Sequence, residues 1–376
     1  MPSKQSPSYH RIRYLIALCV AFAVLLAPQL AGAGTGSPAH AQARVSTEHR
    51  RHHRHDHHHR RHHRRQHQGT TTTTTQQAPD PIPVPDPIPV PNPIPVPIAG
   101  QCLAQHPTQT VTGEQSSRYR PAFGGPTVID ARGATWTQVD AWPVSITGSG
   151  SVCIDGGSIV GTYALSTVWD VFHHTGGFSI ANPNSTIENV SVHNYGDAIN
   201  IRDGASNWRV RGAHTTLIHD DCLQDDYLNA GVISDSLFDG CYVGISTRAS
   251  SNNTTSDGHT NTLTLESSLL RLAPMPTVYK GTAPGHGGFF KWDNDAHRSP
   301  KLALHNNVFR VDQTPNHGSL GLPDGYQVEC SGNTIVWLGS GAFPEAASWL
   351  AKCPDTRIVS AKSTWDNAVT AWKAVH

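Results

Sequence analysis

From about residue 100 to about residue 340, apolar residues come in short alternating runs bounded by Gly, Asn or Asp. An apolar residue at every second position predicts short strands with one buried face. Long helical stripes are absent there. Four segments align: "WDVFHHTGG" (169–177), "GDAINIRDG" (196–204), "DDCLQDDYL" (220–228) and "DGCYVGIST" (239–247). Their shared column, Asp170, Asp197, Asp221 and Gly240, has offsets of 27, 24 and 19 residues. Runs such as "STIENVSVHN", "GVISDSLFDG" and "PKLALHNNVFRV" add further units of strand, polar turn and strand. A unit of about 20–25 residues cannot bury its apolar face alone, so such units stack. The expectation is an all-β, right-handed parallel β-helix solenoid. A β-sandwich would need turn signals every ~8–12 residues, and hairpin dipeptides are few. The terminal stretch 363–376 predicts a short amphipathic helix capping one end.

Stacking gives the acidic stretch "HDDCLQDDY" (219–227) its interest. Neighbouring coils lie about 4.8 Å apart. Asp170, Asp197 and Asp221 would then form a column of like charges, with Asp220, Asp225 and Asp226 beside it. Such a column raises a carboxyl pKa or recruits a cation. Calcium is the cofactor that oxygen ligands of this kind would take, with Asp225 and Asp226 as candidates. The rival reading is a turn ladder, in which Asp and Asn side chains cap turn backbones. Cys222 and Cys241 fall in adjacent coils and predict a disulfide. Cys330–Cys353 and Cys102–Cys153 are offered by proximity in sequence. With Cys19 in the leader, these six are the remaining cysteines, and no CxxC zinc pair occurs among them.

Over roughly 125–340 this coil pattern resembles the pectin-lyase-like superfamily of right-handed parallel β-helices. Within it, the chain resembles polygalacturonase-type glycoside hydrolases in part. In "GDAINI", Asp197 matches the Asp of the N-T-D motif; in "HDDC", Asp220 and Asp221 match the D-D-C pair. The G-H-G histidine finds a match in "PGHGGFFKWD" as His286, but one coil later than the motif order requires. The basic R-I-K motif is missing. The resemblance implies catalysis by Asp197, Asp220, Asp221 and His286 on a polysaccharide. β-Helical polyuronate lyases and epimerases offer a second reading. There His219 or Lys291 would be the base, Arg202 or Arg248 would neutralise a carboxylate, and the Asp cluster would hold calcium. A third reading is a non-catalytic, adhesive β-helix whose Trp169, Trp208, Tyr227, Tyr242 and Trp292 stack on sugar rings. The expected substrate-binding set is therefore Arg202, Tyr227, Tyr242, Arg248, Lys291 and Trp292.

The N-terminal region has another character. Lys4, Arg11 and Arg13 precede the apolar run 14–26, and small-residue cleavage motifs follow at 31–33 and 39–43. This predicts an export signal over 1–41 and a secreted or cell-envelope location. Residues 42–79 hold the tract "HRRHHRHDHHHRRHHRRQH" and a Thr/Gln-rich run, with too few apolar residues to fold. An anionic surface polymer or a divalent metal is the partner that tract would take. Residues 80–99 repeat "DPIPVP", a polyproline stalk spanning ~55 Å over its proline-rich 18 residues. Residues 100–376 form the folded domain. The net charge of zero hides an asymmetry, because 11 of the 28 basic but only 4 of the 28 acidic residues precede residue 100. The domain is thus acidic, which disfavours nucleic acid as its partner. No nucleotide, flavin or haem motif is present.

Overall fold

The computed structural model describes residues 102–139, 141–249, 253, 255–279, 284–293 and 297–376. The expected signal, His/Arg-rich tract and stalk lie outside the described residues. Among those described, 21 strands join in one sheet. The strand pairings are parallel, and the antiparallel exception is the isolated bridge Met275–Gly285. This is the expected parallel β-helix.

Three ladders form the walls. The first runs from Gln109–Glu114 through Val152–Asp155, Thr186–Glu188, Trp208–Arg211, Gly231–Ser234, Thr262–Glu266 and Lys301–His305 to Val328–Ser331. The second includes Ser158–Val160, Ser191–His193, Leu269–Leu272, Val308–Val311 and Thr334–Trp337. The third contains Val144–Ile146, Gly176–Ile180, Asp197–Ile201 and Phe290–Trp292. His214–Asp225 and Leu237–Thr247 are long enough to serve both the second and third ladders.

In-register pairing makes like stack on like. Ile154, Ile187, Val210, Ile233, Leu265 and Leu304 form one column in the first ladder. All six are at most 1% exposed. At ~1.5–3 kcal/mol per buried aliphatic side chain, such columns drive the stacking.

The corner between the first and second ladders is uniform. Two residues turn it in each of seven successive coils, and the first of the two has a positive φ: Gly156, Asn189, Gly212, Asp235, Ser267, Asn306 and Gly332. The second position supplies a ladder of side-chain caps. The Ser236 amide donates to Ser268 Oγ (3.1 Å), the Ser268 amide to Asn307 Oδ1 (3.0 Å), and the Asn307 amide to Asn333 Oδ1 (3.1 Å). A turn ladder of the kind considered for the acidic stretch therefore exists at this corner, built from uncharged residues.

The terminal helix Lys362–Lys373 forms as expected, but not as an end cap. Its Trp365, Ala368 and Trp372 lie on Leu237, Leu269, Val308 and Val336, outward-facing residues of the second ladder in successive coils. The helix thus covers a flank. Trp349, on the short helix Ala346–Lys352, fills the core against Phe289, Phe290 and Phe309, where the third ladder ends. All three expected disulfides are present: Cys102–Cys153, Cys222–Cys241 and Cys330–Cys353, with Cα separations of 5.3, 5.6 and 5.4 Å.

Candidate functional site

The corner between the second and third ladders is irregular, and the acidic stretch lies on it. Leu223 pairs with Ile199, an offset of 24, which places Asp221 over Asp197 as expected. The Asp221 amide donates to Asp197 Oδ1 at 3.1 Å. Two other steps of the repeat are corrected. Asp197 pairs with Gly176, so Asp170 is not in the column; it lies on the one-turn helix Trp169–Phe172. Asp221 pairs with Val243 rather than Gly240, an offset of 22 instead of 19. The register shifts by one residue between Ile218 and Asp221, a bulge in the lower strand. Leu217, just before it, has φ 55°. A regular strand would send Asp220 and Asp221 to opposite faces; the bulged corner lets both approach Asp197.

Asp197, Asp220 and Asp221 each offer an oxygen within 4.8 Å of the others'. All three are buried, at 3%, 2% and 0% exposure. Lys291, which pairs with Ser246 and lies two coils above Asp221, places Nζ 3.1 Å from Asp221 Oδ2 and 3.4 Å from Oδ1. Burial pushes the Asp221 carboxyl up to about 7; Lys291 holds it down and Asp220 adds to the rise. Burial, then Asp221 and Asp220, raise Asp197 well above the usual carboxylate range. Burial works against the charge of Lys291, but Asp221, Asp220 and Asp197 outweigh it and keep the ammonium protonated. Lys291 is therefore a resident cation, not a base.

A groove of about 600 Å³ opens over the cluster. Asp220 and Lys291 reach its wall, with Tyr242, Arg248, Phe290 and Trp292. Three expansions of the coil shape it: residues 161–175, 273–289 and 312–327. The first brings in two residues that were missed as partners of the cluster. His173 Nδ1 lies 3.1 Å from Asp220 Oδ2, and that bond raises the imidazole pKa. Trp169 stacks on His173, with centroids 4.4 Å apart and planes at 17°. The clue was "WDVFHH", which the repeat took for part of a coil although it belongs to a loop, and no period positions a loop.

The other expected residues are distributed as follows. His286 lies two coils after Asp221, as its sequence position implied, but it is fully buried, away from the groove wall. Its Nδ1 is 2.7 Å from the Gly287 carbonyl and its Nε2 is 3.2 Å from that of Gln313. It ties the 312–327 loop to the coil. His219 stacks on Phe172 at 3.6 Å, and burial lowers its pKa to about 4. Asp225 is also unavailable as a metal ligand. Each of its oxygens accepts two bonds, from Tyr227 N and Asn229 Nδ2 and from Trp208 Nε1 and Asn229 N. Burial raises the Asp226 carboxyl, while Lys291, Arg202 and Arg248 hold it down. Asp226 thus joins a charged margin of the site, where Arg202 lies 5.9 Å from the Tyr227 ring centroid. Trp208, Tyr242 and Trp292 are at most 5% exposed. They are packing residues, and Tyr242 and Trp292 also back the groove.

The oxygen donors that could hold a hard cation are Asp197, Asp220 and Asp221 rather than Asp225 and Asp226. Their fit to calcium is poor, because the Lys291 ammonium already neutralises Asp221. Among the described residues no helix is long and apolar enough to cross a membrane. The chain matches no protein-family model, no curated protein and no solved structure.

Proposed function

We propose that this is a polysaccharide hydrolase of the pectin-lyase-like β-helix type, exported and held at the envelope or outside it by its N-terminal segments. The observation that carries the reading is the group of three buried carboxyls within 4.8 Å of one another beside a single ammonium. Such a group keeps a proton at neutral pH while another member stays ionised. Glycoside hydrolysis needs that pairing of acid and base. Burial, then the charges of Asp221 and Asp220, favour the protonated form of Asp197. Asp220 reaches the groove wall and relays the proton held by Asp197, whose oxygen lies within 4.8 Å of its own, to the leaving oxygen. Asp221, which Lys291 draws toward ionisation, takes the proton of the attacking water.

The β-elimination reading has less support. Lys291 stays protonated, and His219 is packed under Phe172 rather than on the groove wall.

The test is release of reducing ends from a panel of neutral and acidic polysaccharides by wild type and by Asp197→Asn, Asp220→Asn and Asp221→Asn. Each variant should lose ~10²–10⁴-fold in kcat. Products that absorb in the near ultraviolet would replace hydrolysis with elimination. A wild type that binds a glycan but cleaves none would leave a binding protein.

A further inference from the structure

The groove carries more information about its substrate than the carboxyls do. Its cations are occupied: Lys291 faces Asp221 at 3.1 Å, and His173 faces Asp220 at 3.1 Å. The remaining basic side chains of the wall are Arg248 and the imidazole of His317, which lies against Tyr279. Against them the wall sets Asp170, Asp220 and Asp324, the last paired with Lys352 at 3.6 Å. Asp197 and Asp221 lie directly behind. A polymer with a carboxylate on each ring would need a cation for each charge. With these pairs made the wall offers Arg248 and His317, themselves set against Asp170, so the further carboxylates would be buried unpaired.

The groove is also lined by aromatic residues. Trp169 and Tyr279 approach to 4.8 Å between centroids, and Tyr279 and His317 to 5.4 Å. The three come from the three separate coil expansions and meet at one place. Trp169 and Tyr279 are partly exposed and His317 is exposed, so the wall is not sealed inside the core. Phe290, Leu322 and Pro323 continue the apolar lining. Ring faces of this kind take the C–H face of an uncharged pyranose.

We infer that the groove binds a neutral pyranose polymer, with Trp169, Tyr279 and His317 as its stacking wall. This rests on the hydrolase reading and adds the substrate class to it. The experiment is titration of the full-length protein with hexasaccharides, monitored by calorimetry. The neutral probes are β-linked glucan, mannan and galactan; the charged probes are oligogalacturonate and oligoalginate. At least one neutral hexamer should bind, with little dependence on salt. Trp169→Ala and Tyr279→Ala should each weaken it by about tenfold, the size of one lost stacking contact. Trp169→Phe should recover most of that loss, which a variant that merely misfolds would not do. Arg248→Ala should change the affinity by less than about threefold. Tighter binding of a uronate hexamer that weakens with salt and with Arg248→Ala would overturn the inference, as would binding of neither class. Cleavage is read separately. If wild type releases reducing ends and Asp220→Asn does not, the hydrolase reading stands whichever class of hexamer binds.

Discussion

The two corners on either side of the second ladder solve different problems with similar residues. At the first-to-second corner seven successive coils turn in two residues, and Ser236, Ser268, Asn307 and Asn333 cap the next backbone amide in line. At the second-to-third corner the coils bulge and sprout loops. The side chains gathered there are carboxylates, and burial holds Asp197 and Asp221 far from their ordinary ionisation. A neutral ladder stabilises because its donors and acceptors are matched. A charged cluster costs stability, because each carboxylate loses water and faces another. Polar residues spent on structure and polar residues spent on chemistry are thus distinguishable by what their burial does to the fold.

The largest expected effect on stability belongs to the neutral corner. Asn307 donates to the Leu265 carbonyl at 2.7 Å and accepts from the Ser268 amide, both buried. Asn307→Ala should cost about 2–4 kcal/mol, as two buried groups lose their partners. Chemical denaturation measures it. A cost below about 0.5 kcal/mol would remove the distinction between the corners.

Next comes pH. The Asp221 carboxyl lies at about 7 in the folded chain, against ~3.9 when unfolded. Between those values the native state holds a proton that the unfolded state has released. Its contribution therefore rises as pH falls from about 7 towards ~4. Asp197 has the same sign. His219 opposes it between ~6.5 and about 4, since the native imidazole resists protonation. Asp221→Asn removes the Asp221 part and, by removing its charge, reduces the Asp197 part, which has the same sign. The wild type should therefore lose stability relative to this variant as pH rises from 5 towards about 7 and beyond, read as the difference between two melting-temperature profiles.

The smallest expected effect is at the turn itself. Ser267 sits in the left-handed region at φ 47°, a conformation that Gly adopts without the steric cost. Ser267→Gly should raise stability by about 0.5 kcal/mol, while Ser267→Val should lower it by more.

The difference between the corners also explains what was legible in the sequence. Where strands follow one another without insertion, a motif match is a register. "GDAINI" and "DDCLQD" therefore placed Asp221 over Asp197; the Cys222–Cys241 disulfide was read from adjacent coils, and the other two were offered by proximity alone. Where a loop intervenes, the match means little. Asp170 resembles its aligned partners but belongs to a one-turn helix in the 161–175 excursion. The similarity of "DDC" to "DGC" suggested an offset of 19, while the backbone pairs at 22 through a bulge. His173 and Trp169 reach the site across such a loop, so no periodicity exposed them. Aromatic residues misled for a different reason. Trp208 and Trp292 have the composition of sugar platforms, but their indole N–H groups satisfy Asp225 and the Pro300 carbonyl inside the fold. The terminal helix announced an apolar face, but not which surface of the solenoid it would cover.

The most direct test is the melting temperature of Asp197→Asn at neutral pH, measured on the same samples used for activity. Asparagine preserves an acceptor for the Asp221 amide and is the neutral counterpart of the protonated carboxyl that burial and two neighbouring carboxyls favour. The account predicts a melting temperature equal to or above that of wild type, with hydrolysis lost. A fall comparable to that of Asn307→Ala, with hydrolysis of every glycan unchanged, would make the acidic corner a structural ladder like its neighbour and contradict the account.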